Sequence, residues 1–189
     1  MTIPAFPKLE TERLHLREIT MDDAEWFLAH FSTPEIVWGQ GYPAPGGIED
    51  AREQLARYIV DLFAQGRGLR WGIVLKGADA LIGSAGLYDW DREIGSAELG
   101  YDLDPRHWGR GIMTEALRAI LGFAFEVMRL DRVQALAMPR NERSLRLVER
   151  LGFTREGVLR HHGHDETGAV CDDVILSLLR DEWGATAMR

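Results

Sequence analysis

The stretch whose reading decides the fold runs Glu98-Leu99-Gly100-Tyr101-Asp102-Leu103-Asp104-Pro105-Arg106-His107-Trp108-Gly109-Arg110-Gly111-Ile112-Met113-Thr114-Glu115-Ala116. It begins inside a strand expected from Ile94 to Leu103, which Pro105 stops because proline lacks the N–H a ladder needs. Gly109 and Gly111 then open a long helix, expected from Gly109 to Met128. Ile112, Met113, Ala116, Leu117, Ile120, Leu121 and Ala124 give that helix a wide apolar face, so it is expected to be well buried. Glycine has no Cβ to keep a ligand off the backbone. The first turn of a helix leaves its amides unbonded, and the dipole favours an anion there. Arg106 and Arg110 add positive charge. In physical terms this is a cradle for a pyrophosphate. It is neither the Gly-x-Gly-x-x-Gly dinucleotide fingerprint nor a Gly-Lys-Ser/Thr phosphate loop. The same residues also suit an ordinary glycine-rich turn between strand and helix.

Outward from this segment the elements alternate in type. Glu12 to Glu18 alternates as a strand, and Ala24 to Phe31 reads as a short helix after the start signal Thr20 to Asp23. Ser32 to Gly47, with three prolines and four glycines, reads as a loop. Ile48 to Gln65 reads as a helix with Leu55, Ile59, Leu62 and Phe63 on one face. Strands are expected at Arg70 to Leu75 and Ala80 to Trp90, ahead of the strand that feeds the cradle. Beyond the long helix come a strand (Arg132 to Met138) and a helix (Asn141 to Leu151) ended by Gly152. Phe153 to His162 and Ala169 to Leu179 then pair around the turn Gly163 to Gly168. Such an order implies a mixed α/β (α+β) sheet rather than a doubly wound one.

Composition narrows the function. The 189 residues are 46% apolar and 28% charged, an ordinary globular balance. A lone cysteine, Cys171, excludes an internal disulfide framework and a Cys-rich zinc site. The sequence has neither an apolar run long enough for a membrane span nor a signal core at its start, so a cytoplasmic protein is expected. A net charge of −8 argues against a nucleic-acid partner. The charge is uneven: Arg106 to Arg160 carries 11 arginines and 6 acids, while the remainder carries 11 basic residues and 24 acids. That split suits an anionic ligand at the basic segment and a cationic one elsewhere, and it also suits chance in an arginine-rich chain.

Trp108-Gly109-Arg110-Gly111-Ile112-Met113 resembles the acetyl-CoA loop Gln/Arg-x-x-Gly-x-Gly/Ala of the GNAT superfamily of N-acetyltransferases. Trp108 and Met113 depart from that pattern in the manner of the ribosomal-protein alanine N-acetyltransferase branch. Leu9-Glu10-Thr11-Glu12-Arg13-Leu14, Gly100-Tyr101, Asn141-x-x-Ser144, Leu151-Gly152-Phe153 and Leu178-Leu179-Arg180-Asp181-Glu182-Trp183 are similar to the same branch, in order along nearly the whole chain. The resemblance implies one GNAT domain over residues 1–189. It implies a mixed, mostly antiparallel, seven-stranded sheet flanked by helices, and acetyl transfer from acetyl-CoA to an amine, with no metal. The acceptor expected first is a protein N-terminal α-amine, then a small amine such as a polyamine, aminoglycoside or amino acid. A CoA-binding protein without activity is the rival from another class. Monomer and homodimer both stay open.

By the same resemblance, backbone amides of Tyr101, Asp102 and Leu103 face the pantetheine arm and acetyl oxygen. Amides of Gly109, Arg110, Gly111, Ile112, Met113 and Thr114 hold the pyrophosphate, Asn141 bonds the pantetheine, and Arg150 meets a CoA phosphate. Ser144 is the implied proton donor to the thiolate, with a helix-start hydroxyl as the plainer reading. Glu98 is the candidate base, acting through water, or else a solvated strand acid or a structural ion pair. Tyr101 also reads as packing. Trp38 and Tyr42 wall the acceptor side or simply pack on the surface. His161, His162 and His164 with Asp165 read as a solvated turn rather than a metal cluster, since their spacing does not converge. Cys171 reads as a half-buried strand residue.

Overall fold

The computed structural model describes residues 3–40 and 43–187. Eight strands form one sheet in the order β1-β2-β3-β4-β5-β6-β8-β7. They are β1 (Leu9–Glu10), β2 (Leu14–Glu18), β3 (Leu69–Leu75), β4 (Leu81–Asp91), β5 (Ser96–Leu103), β6 (Arg132–Ala137), β7 (Thr154–His164) and β8 (Val170–Leu179). Neighbours are antiparallel except β5 and β6, which run parallel. The expected count of seven misses β1, a two-residue strand too short to leave a periodic pattern. It pairs Leu9 with Leu16 and Glu10 with His15. The strand expected from Glu12 starts at Leu14, because Thr11 makes a turn: its amide donates to the Leu14 carbonyl and its hydroxyl accepts from the Leu14 amide.

Helices cover both faces. On one side lie α1 (Ala24–Phe31), α2 (Pro34–Gln40), α3 (Ile48–Leu55) and α4 (Asp61–Ala64). The expected loop from Ser32 to Gly47 thus contains a helix. Pro34 opens it at the position where a missing N–H costs nothing, and the Thr33 carbonyl accepts from Ile36 and Val37. The helix expected over Ile48 to Gln65 is interrupted by a wide π-type turn, Ala56–Val60, between α3 and α4. Ala51, Leu55 and Ile59 pack with Ala24, Phe27, Val74 and Leu81 in a small core.

The larger core lies on the other face, under α5 (Ile112–Gly122) and α6 (Glu142–Arg150). Met113, Ala116, Leu117, Ile120 and Leu121 of α5 pack there against Trp71, Ile73, Leu87 and Leu99. The helix begins at Ile112 rather than Gly109, since Gly109 and Gly111 both hold φ +73°, outside the helical region. A second wide turn, Phe123–Val127, ends it. Asn141 caps α6 by accepting from the Ser144 amide at 3.2 Å, and Gly152 follows the helix at φ +100°. A last helix, α7 (Arg180–Ala187), follows β8.

Candidate active site

The parallel pairing of β5 with β6 covers only Ser96–Arg132, Ala97–Val133 and Glu98–Gln134. Beyond it the strands separate, and β6 from Ala135 to Ala137 pairs with β8 alone. The backbone of β5 from Leu99 to Leu103 therefore edges an open slot. The Asp104 amide donates to the Ile82 carbonyl at 2.8 Å, so Gly100 and Asp102 also bond toward β4. Strand alternation turns the N–H and C=O groups of Tyr101 and Leu103 into the slot, while the Leu99 N–H makes the last ladder bond to β6. Trp108 Nε1 donates to that Leu103 carbonyl at 2.6 Å, tying the following loop to the slot's end.

The loop from Trp108 to Gly111 meets the start of α5 at the same end. The first intrahelical bond runs from the Glu115 amide to the Gly111 carbonyl, so the amides of Ile112, Met113 and Thr114 precede it. At Gly109 nothing lies within 4 Å of the place a Cβ would take. This is an open cradle of backbone donors at a helix N-terminus. Of the arginines expected here, Arg150 lines the cleft and Arg106 and Arg110 do not. Arg106 is spent on Asp104, and the Arg110 side chain is not among those lining the cleft. Arg143, stacked 3.7 Å over the Trp108 ring, lines it with Arg146 and Arg150. A clamp behind the cradle also escaped sequence reading. Glu115 in the first turn of α5 accepts from Thr11, the Arg13 amide and Arg13 Nε, and Arg13 donates to the Arg110 carbonyl at 3.0 Å.

Ser144 Oγ and Tyr101 Oη lie 2.7 Å apart, bridging α6 to β5 across the slot. Burial pushes the Tyr101 hydroxyl up to about 12, so it stays protonated at neutral pH. Glu98 and Tyr101 are three residues apart on one strand, so their side chains leave opposite faces of the sheet. Glu98 thus stands at the other mouth of the slot, on the last rung where β5 and β6 still pair. Gln134 donates to it at 3.4 Å. Burial raises the Glu98 carboxyl above the ordinary glutamate range; the Gln134 bond and His162 oppose that, while Asp89 and Asp173 add to it.

Beside Glu98 on that face is a buried polar network. Asp102 accepts from His30 Nε2 at 2.6 Å, from the Ser84 amide at 3.0 Å, from the Ser84 hydroxyl at 2.8 Å and from Arg70. Arg70 also donates to Ser84 Oγ at 2.9 Å and to the Tyr88 hydroxyl. Burial pushes the Asp102 carboxyl up, but Arg70 and then His30 outweigh it and hold it below its usual range. The side chain of Asp102 is consumed here and its backbone bonds toward β4, so the amide expected from Asp102 is not offered to the slot, unlike those of Tyr101 and Leu103.

One cleft of about 1850 Å³ joins both mouths. Glu98, Tyr101, Asp102, Leu103, Gly109, Gly111, Ile112, Met113, Thr114, Asn141, Ser144, Arg150 and Trp38 all line it, and Arg110 does not. Trp38 carries the Arg140 guanidinium 5.0 Å from its ring centroid, and Arg140 pairs with Glu166. Tyr42 lies outside the described residues. The three histidines all fall on β7 rather than in a turn: His162 Nδ1 pairs with Asp173 at 3.0 Å, and His161 bulges at φ +53°. Among the described residues no three His, Cys, Asp or Glu side chains gather to hold a metal. None of their helices is long and apolar enough to cross a membrane.

The family model described as an acetyltransferase (GNAT) domain matches residues 13–154. The uncharacterized N-acetyltransferase YoaA of Bacillus subtilis is 35% identical over 175 residues, 93% of this chain and 98% of that protein. The ribosomal protein uS5-alanine N-acetyltransferase of Escherichia coli is 30% identical over 185 residues, 93% of this chain and 92% of that one. The crystal structure of ribosomal-protein-S5-alanine acetyltransferase from Vibrio fischeri superposes with a TM-score of 0.80 at 25% identity, over 94% of this chain and 98% of that one.

Proposed function

The chain belongs to the GNAT acetyltransferase family and is an acetyl-CoA-dependent N-acetyltransferase, and from that premise we propose that its acceptor is the α-amine of a protein N-terminus. The observation that carries this reading is the continuity of the cleft. Its volume of about 1850 Å³ takes in the cradle, the slot and the acceptor mouth together, so the mouth is continuous with the co-substrate site and open to an extended chain segment. The similarity to the uS5-alanine enzyme points the same way. The reading takes residues 1–189 as a single domain acting in the cytoplasm, without a metal.

The glycine-lined cradle fits a pyrophosphate, since no side chain blocks Gly109 and the amides beyond it precede the helical ladder. Acetyl-CoA, when bound, supplies the acetyl group as a thioester open to attack by an amine. Gly109 to Thr114 hold the phosphates through backbone N–H groups, with Arg150 at the rim and Asn141 toward the pantetheine. The N–H groups of Tyr101 and Leu103 orient the arm and polarise the acyl oxygen, where one such donor is typically worth about 10²–10³ in rate. Glu98, raised by burial, takes the proton of the ammonium through a water, because only the free amine attacks. The N–C bond forms as the C–S bond breaks. Ser144, hydrogen-bonded to the protonated Tyr101, gives its proton to the departing sulfur and is reprotonated by the second proton that the acylated nitrogen releases, passed through water.

The test is thiol release from acetyl-CoA with peptides of varied N-terminal residue, set against polyamines, aminoglycosides and amino acids. Peptides should be the better acceptors by kcat/KM. Preference for any small amine overturns the acceptor, and no release with any acceptor overturns the enzymatic reading.

A further inference from the structure

Tyr88 has no part in the mechanism so far, yet it occupies the acceptor side of the slot. Its partner across the β4–β5 ladder is Glu98. Directly opposed residues of this kind have Cα atoms roughly 5.5 Å apart and side chains on one face. The ladder slips just beyond this pair, between Tyr88 and Asp91, and Asp89 holds φ +47° there. Such bulges re-aim side chains and concentrate next to active sites. The tyrosine ring swings back over Gly100, where a Cβ would collide with its hydroxyl. The hydroxyl oxygen accepts from Arg70, which also donates to Ser84 and Asp102. The ring is thus fixed, and its oxygen cannot turn its proton toward Arg70. Among the described residues no acceptor takes that proton, and Tyr88 lines the cleft. Burial raises its pKa above the ordinary tyrosine value, so the proton stays on at neutral pH.

A fixed O–H donor next to the base needs an acceptor oxygen close to the reacting nitrogen. We propose that Tyr88 is a specificity-determining residue whose hydroxyl donates to the first carbonyl oxygen of the acceptor peptide while Glu98 serves its α-amine. In an N-terminal residue that oxygen is separated from the amine by two carbons only, matching two side chains paired across one rung. Polyamines and other alkylamines have no such carbonyl and leave the buried-side donor without a partner, which counts against them. Arg70, Ser84 and Asp102 are positioning residues for Tyr88. This inference rests on the N-terminal reading of the acceptor and names how that acceptor is told from other amines.

The experiment is a double-mutant cycle between enzyme and substrate. Wild-type enzyme and Tyr88→Phe are each given one N-terminal peptide, its (E)-alkene analogue lacking the first carbonyl and N–H, and its ester analogue lacking only the N–H. Wild type should lose about tenfold in kcat/KM from peptide to alkene, the size of one hydrogen bond with an unpaired buried donor. Tyr88→Phe should lose a similar factor on the peptide and on the ester, and little on the alkene. Wild type turning over peptide and alkene equally overturns the proposal without any variant, so a misfolded Tyr88→Phe leaves it falsifiable. An equal loss from Tyr88→Phe on all three substrates also overturns it, placing Tyr88 in support of Glu98 instead. Wild type that acetylates alkylamines and none of the peptides overturns the N-terminal acceptor itself, a result distinct from the other two.

Discussion

Replacing Asp102 by asparagine removes the charge at the centre of the acceptor-side network while keeping its shape. The carboxylate accepts four hydrogen bonds, from His30, Arg70 and both polar groups of Ser84. An asparagine has one acceptor oxygen, and either orientation sets its NH2 group against two of those donors. Arg70 then keeps its charge in a site where its side chain is 10% exposed, with its counter-ion gone. Removing one partner of a buried ion pair costs about 3–5 kcal/mol. For a chain of this size each kcal/mol lowers Tm by about 2–4 °C, so a fall of about 6–20 °C is expected. Calorimetric melts from pH 7 downward are the assay. The folded carboxyl sits below its unfolded value, so its contribution is complete above the unfolded value of roughly 4 and is lost as pH falls through the folded one. The gap between wild type and Asp102→Asn should therefore hold steady from pH 7 to about 5 and close at lower pH. Joint replacement of Arg70 by Met and Asp102 by Leu should recover much of the loss, since apolar substitutes for a whole buried pair are often neutral. A Tm within about 2 °C of wild type at pH 7 would refute the reasoning, as would a gap independent of pH.

Gly111→Glu places a side chain and a negative charge at the cradle, at a φ of +73° that disfavours any side chain. Calorimetry should show acetyl-CoA affinity reduced tenfold or more, about 1.4 kcal/mol; a folded variant with unchanged affinity removes the cradle. Ser144→Ala should lower turnover by about 10² or more with little change in acetyl-CoA binding, as expected for a proton donor acting in the transition state. Unaltered turnover, with chemistry limiting, leaves Ser144 as a structural partner of Tyr101. Glu98→Gln should cut kcat/KM most at neutral pH and least near pH 10, where free amine is abundant, and should abolish an acid limb lying above the ordinary glutamate range. Parallel profiles for the two proteins would take Glu98 out of the mechanism.

Local rules were enough for much of this molecule. Pro105, Gly109 and Gly111 determine that a strand must stop and a helix must start within a few residues, because one lacks an N–H and the others admit φ values closed to side chains. The apolar face of α5 and the alternation of β6 follow from period, and the GNAT resemblance rests on the same stretch. Short or interrupted elements were not legible. The two residues of β1 are too few for a pattern, and the helix at Pro34 hides in a segment whose prolines and glycines read as loop. Tertiary structure alone decided which side chains meet. Thr11 and Arg13 reach Glu115 and Arg110 across about a hundred residues of chain. Ser144 finds Tyr101 only because β5 and β6 part after one short run of pairing. Arg70, Ser84, Tyr88 and Asp102 sit on three different strands, and nothing in their local sequence marks them as partners. Their meeting depends on register: a shift of one residue between β4 and β5 would send Tyr88 to the opposite face from Glu98. Charge shows the same division. The excess of arginine near the loop is plain in the sequence, but Arg106 turns to Asp104 while Arg143 supplies the cradle, because a charge acts where its side chain is packed and not where it falls in the chain.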